Sequence, residues 1–206
     1  MKKILKLGIV GGGPNSWIGN IHRIASRIDG KYIICAGSFS RDAKLSRSFG
    51  STLNIENNRC YSNYKIMADT ESKREDGIDV VAIMTPPGSH QEIAEYFIKK
   101  NFNVISDKPF AATYEQAKKL YSTITKNKKI VYGLTHNYSA YPMVRMAKKL
   151  VSDGKIGNIE NVNVEYVQDW SKGNVVTAKN AKKVFKWKID KKIVGSSAVL
   201  NEIGTH

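Results

Sequence analysis

Leu7-Gly8-Ile9-Val10-Gly11-Gly12-Gly13-Pro14 constrains the fold more than any other stretch of this chain. A short apolar run ends in three glycines, and a helical pattern opens near Gly19 with Ile21, Ile24, Ala25 and Ile28. Strand, glycine turn and helix in that order form a cradle for a pyrophosphate. Glycines let backbone approach the phosphates, and the helix N-terminus offers free N–H groups and a positive dipole end. The spacing departs from G-x-G-x-x-G. Gly11 and Gly13 fit, but Ser16 stands third, and five residues separate Gly13 from Gly19. Taken alone, the turn is open to two readings, a phosphate cradle or a plain tight turn.

The pattern beyond it decides for an α/β fold. Strands are expected at residues 5–10, 32–37, 80–84 and 104–105, the last numbered fifth, with a sixth at 130–135. Helices are expected at 19–28, 42–49, 63–70, 89–99 and 113–125. Val80-Val81-Ala82-Ile83-Met84 is apolar throughout, as a parallel strand buried on both faces must be. Ser89-His90-Gln91-Glu92 and Thr113-Tyr114-Glu115-Gln116 have the spacing of capping boxes. Alternation of this kind predicts a doubly wound parallel sheet with helices on both faces, a Rossmann arrangement, over residues 1–138. Ligands of such sheets bind beyond the carboxyl ends of the strands. Residues 11–19, 38–41, 85–90, 107–109 and 136–138 would all face that crevice. Residues 139–206 read as the incomplete start of a second, α+β domain: one helix near 142–151 and one alternating strand at 161–166 cannot close a core.

Composition narrows the function. The net charge is +15, but the lysines are dispersed, whereas a nucleic-acid footprint clusters. The densest run, residues 179–192, is interleaved with apolar side chains. No nucleic-acid partner is therefore expected; such a partner would require strongly salt-dependent binding to random DNA, and absence of binding at low salt would exclude it. No apolar run approaches a membrane span, and Met1-Lys2-Lys3 runs into a first strand rather than a signal peptide. Cys35 and Cys60 lack metal or redox spacing. Reduced thiols, no metal and a cytoplasmic location are the expectation.

Two groups of residues could carry chemistry. Lys108, in Asp107-Lys108-Pro109, follows a strand and can donate to a substrate hydroxyl or a ribose; it also fits a surface turn. Glu202 and His206 share a helix face if that segment is helical. The carboxylate could then fix the imidazole, and the imidazole could serve as a base near neutral pH; a pair of ordinary surface residues is the alternative. After the second strand no acidic residue is placed to grip an adenine ribose. Ser40 and Arg41 stand there instead and suit a 2′-phosphate, which favours NADP over NAD; a solvated arginine before a helix is the alternative, so NAD or NADP is expected.

Taken together, Gly11-Gly12-Gly13, Gly19-x-x-His22, Thr85-Pro86 with His90, Asp107-Lys108-Pro109 and Glu202-Ile203-Gly204-Thr205-His206 resemble the Gfo/Idh/MocA family of NAD(P)-dependent sugar and cyclitol dehydrogenases. Residues 11–23, Thr135-His136-Asn137-Tyr138, residues 141–145 and Gln168-Asp169-Trp170 are similar to its inositol-dehydrogenase-like branch. The resemblance implies hydride transfer between NAD(P) and a secondary hydroxyl, with Lys108, Glu202 and His206 as the catalytic set. Cofactor contacts are expected at Gly11, Gly13, Pro14, Ile18, Gly19, Ser40, Arg41, Thr85, Pro86, His90, Asp107 and Lys108. Substrate contacts are expected at Asn137, Tyr138, Trp170, Trp187 and Lys188. Glu202 replaces the usual aspartate of the D-x-G-x-H motif, and Asp107 replaces a commoner glutamate. The family's second domain is an open sheet that usually carries the oligomer interface, and here it stops just after His206, so this chain is expected to be a fragment of a longer, homo-oligomeric protein, with a genuine short relative as the alternative. A non-catalytic NAD(P)-binding regulator or a decayed member is the alternative function.

Overall fold

The computed structural model describes residues 3–167, 190–195 and 203–205. The chain divides into two compact units, Met1–Leu134 and Thr135–His206, a boundary four residues before the expected one.

The first unit is built on a sheet of order β2-β1-β3-β4-β5, with β1 Leu5–Gly11, β2 Tyr32–Ser38, β3 Val80–Met84, β4 Asn103–Asp107 and β5 Tyr132–Thr135. The ladders β1–β2, β1–β3 and β3–β4 are parallel. Among the described residues there are five strands where six were numbered. Outside β2, a single parallel bridge, Gly37↔Cys60, takes the remaining place. The tight turn Asn57–Arg59 and the helix cap at Asn63 leave no length there for a strand.

Helices α1 Trp17–Ile28 and α2 Ala43–Thr52 cover one face of the sheet; α3 Tyr64–Glu71, α4 His90–Lys99 and α5 Tyr114–Lys126 cover the other. Period-two alternation sorts β3 between them. Val80, Ala82 and Met84 pack with Leu7, Ile9, Phe39 and Phe49. Val81 and Ile83 pack with Val10, Ile93, Phe97 and Leu120. Phe97 is wholly buried, and its truncation to alanine removes about 3–5 kcal/mol.

Side-chain caps start the helices: Ser16 accepts from the Gly19 N–H, Asp42 from Lys44 and Leu45, Asn63 from Ile66 and Thr113 from Gln116. The capping box expected at Ser89 is not formed. A turn of 3-10 helix, Pro87–Ser89, runs directly into α4, so Ser89 is already helical. Its hydroxyl donates back to the Pro86 carbonyl and to Thr85 Oγ1 instead.

In the second unit, helix α6 Pro142–Ser152 leaves Met143, Val144, Met146 and Leu150 exposed. At the expected strand 161–166 no ladder is formed among the described residues. No helix of the described residues is long and apolar enough to cross a membrane, and no group of three or more His, Cys, Asp or Glu among them could hold a metal ion.

Candidate functional site

The strand order reverses direction at β1, with β2 on one side and β3 on the other. That switch point is where a doubly wound sheet opens a crevice. Gly11 pairs with Met84 at its floor, which sets the glycine turn beside Thr85.

Steric demands explain each glycine of the turn. Gly11 and Gly12 have φ of +83° and +62°, a region that favours glycine. A Cβ on Gly13 would lie 2.7 Å from the Phe39 carbonyl oxygen, and one on Gly19 2.5–2.8 Å from the Gly12 backbone. Gly19 thus lets α1 pack directly on the turn. Ser16 closes the loop: its N–H donates to the Gly13 carbonyl and its hydroxyl caps the Gly19 N–H. The first turn of α1 therefore opens immediately after Pro14 and Asn15, which are exposed, with Ile18 half-buried.

Helix α1 is amphipathic in an unexpected sense. Ile21, Ile24 and Ile28 are exposed, whereas Gly19, Arg23 and Ser26 are buried. Close approach to the turn needs glycine at one position and a long donor at another, and this overrides apolar burial. Arg23 Nη1 donates to the Gly12 carbonyl at 2.6 Å. Its guanidinium lies 5.0 Å from the centre of the Phe49 ring. Burial, with Arg27 adding to it, holds the Arg23 guanidinium below the ordinary arginine value. One residue earlier, His22 Nε2 stands 3.9 Å from Asp107 Oδ1, both side chains mostly buried. Sequence reasoning gave Arg23 no role and His22 only a place in a motif. The signal available for both was polar residues at helical spacing from Gly19.

Thr85 is half-buried and Pro86 exposed at the end of β3. Asp107 and Lys108, both half-buried, close β4. His90 links these two strand ends. Its Nδ1 is 2.8 Å from the Pro109 carbonyl oxygen and its Nε2 is 2.7 Å from that of Thr85. It is 1% exposed. With both ring nitrogens against backbone and no free surface, His90 holds loops; the cofactor contact expected of it does not fit this arrangement. Ser40 and Arg41 follow β2, Ser40 half-buried and Arg41 exposed. Asp42, the nearest acid, uses Oδ1 to cap α2.

Asn137 and Tyr138 belong to the second unit. There the Tyr138 hydroxyl is 3.3 Å from that of Tyr166, and its ring meets Tyr141 edge-on. Trp170, Trp187, Lys188, Glu202 and His206 lie outside the described residues.

The glycine turn, the capped helix end and the switch-point crevice define a dinucleotide-binding type of Rossmann domain. Residues 5–135 match the oxidoreductase family with an NAD-binding Rossmann fold, and the chain belongs to this Gfo/Idh/MocA family. It is 35% identical, over its whole length and 52% of the relative's, to the uncharacterized oxidoreductase YfiI of Bacillus subtilis. Levoglucosan dehydrogenase of Pseudarthrobacter phenanthrenivorans is 30% identical over 98% of this chain and 49% of its own. Among solved structures, an inositol dehydrogenase homolog from Azotobacter vinelandii complexed with NAD+ superposes with a TM-score of 0.93 at 32% identity, covering 100% of this chain and 52% of that one. The chain spans about half the length of the relatives it matches.

Proposed function

We propose that this chain belongs to a dehydrogenase that moves a hydride between NAD(P) and a secondary hydroxyl of a sugar or cyclitol. The observation carrying this reading is Lys108 at the carboxyl end of β4, on a loop tied through His90 to the β3 end beside the glycine turn. Homology supports it, since relatives of this chain include a levoglucosan dehydrogenase and an inositol 2-dehydrogenase.

The residues present fit a dinucleotide. Backbone at 11–16 and the first turn of α1 would hold the pyrophosphate, Ser40 and Arg41 the adenine ribose, and Thr85, Pro86 and Lys108 the nicotinamide end. When bound, the nicotinamide supplies the hydride acceptor. The protein's part is proton handling and orientation. Lys108 donates a hydrogen bond to the reacting oxygen and stabilises charge developing on it. His206 accepts the hydroxyl proton and Glu202 orients it, with Asn137, Tyr138, Trp170, Trp187 and Lys188 lining the substrate side.

For the coenzyme, Arg41 and Ser40 favour a 2′-phosphate. The direct test is reduction of NAD and of NADP by the longer protein against a panel of anhydrosugars, inositols and aldoses. Turnover with one of these polyols supports the reading, and coenzyme binding without turnover on any of them would replace it with a regulatory one.

A further inference from the structure

Arg23 is buried, 7% exposed, yet among the described residues it pairs with no carboxylate. Its partners are the Gly12 carbonyl at 2.6 Å and the Phe49 ring at 5.0 Å, and the other charge near it is the like charge of Arg27. A buried cation without a counter-charge is costly, so its placement needs a reason. Its hydrogen bond supplies one. The Gly12–Gly13 peptide is trans, since the cis bond among the described residues is Lys108–Pro109. In a trans peptide the C=O and the following N–H point in opposite directions. Holding the Gly12 carbonyl inward on Arg23 therefore turns the Gly13 N–H outward. That N–H has no partner among the described residues.

We propose that Arg23 is a positioning residue for the coenzyme pyrophosphate: it locks the Gly12–Gly13 peptide so that the Gly13 N–H faces the anion, and it places a positive charge behind the turn. The proposal rests on the dinucleotide reading of the glycine turn. The anion supplies the counter-charge that the protein withholds. Gly12, at φ +62°, is the residue whose peptide would otherwise rotate most freely. Phe49 closes the far side of the guanidinium with an aromatic face, which a cation tolerates better than an aliphatic wall.

The test is a titration of the 206-residue chain with ADP-ribose, which carries the pyrophosphate, and with adenosine, which does not, followed by NMR so that millimolar affinities are read. Arg23→Met keeps the stem and removes the charge and donors. It should weaken ADP-ribose about tenfold or more, the scale of a hydrogen bond to a charged group, while adenosine changes less than about twofold. Arg23→Lys keeps the charge on one compact donor and should fall between Arg23→Met and the natural chain with an unchanged melting temperature. It decides the matter if the methionine variant fails to fold. Equal affinity of natural and substituted chains for ADP-ribose overturns the proposal, and so does a parallel loss for both ligands. A folded natural chain that binds no ADP-ribose overturns the dinucleotide reading itself, and the role of Arg23 with it.

Discussion

Two buried arginines in the first unit are treated in opposite ways. Arg59 Nε and Nη2 grip the two carboxylate oxygens of Glu71, and Asp76 stands near. Glu71 also accepts from the Tyr61 hydroxyl and the Ile78 N–H. Every acceptor position there has a protein donor. Burial opposes the charge on Arg59, but the Glu71 hydrogen bonds and neighbouring carboxylates win and hold its guanidinium above the ordinary arginine value. Arg23 has a carbonyl and a ring, and burial holds it below that value. The first region is closed on itself and serves stability. The second leaves its charge uncompensated, beside a backbone turn whose geometry only glycine adopts with ease.

The difference can be broken from either side. The largest expected effect is on stability: Glu71→Ala strands a buried guanidinium and should cost about 3–5 kcal/mol, read from urea denaturation. The fraction still folded should bind NADH as the natural chain does. A matching loss of affinity would show that the two regions are not separable. Lys108→Ala should do the reverse in an active, full-length form. Turnover should fall about 10²- to 10³-fold, with the denaturation midpoint moved little, and normal turnover would remove Lys108 from the chemistry. Arg41→Ala is a milder probe of the crevice rim. It should weaken NADP about tenfold and leave NAD within about twofold, as expected for one hydrogen bond to a charged group; equal losses would mean Arg41 does not read the 2′-phosphate.

The smallest effect lies away from both regions. Burial pushes the Tyr132 hydroxyl up to about 12. A group whose pKa is raised on folding stabilises fully below its unfolded value, near 10 for tyrosine. That stabilisation is lost as pH rises through the folded value. Tyr132→Phe should therefore lose stability less steeply than the natural chain between about pH 10 and pH 12. Identical slopes would contradict the assignment.

The same contrast explains what could be read from sequence. The core strands were legible because periodicity reports burial directly: the apolar run at β3 matches Val80–Met84 without adjustment. The Thr113 cap was legible because its donor is three residues away. The face of α1 was not. Three isoleucines at helical spacing signal a helix but not which side is buried, and here Gly19 and Arg23 decide that through contacts to Gly12. His90 was placed in a motif and expected to contact the cofactor; its bridging role was not legible, because its partners, Thr85 and Pro109, come together only when β3 and β4 pair. The bridge at Cys60 left no periodic signal in the sequence, because a single pair is too short to show one.

The central claim is that the glycine turn, and not the closed Arg59 network, meets the coenzyme. Amide hydrogen exchange of the chain with and without NADH tests it most directly. Exchange should slow at residues 11–20 and 85–89 when NADH is present, with residues 57–79 unchanged. Exchange unaltered at the glycine turn, or slowed equally in both regions, would contradict it.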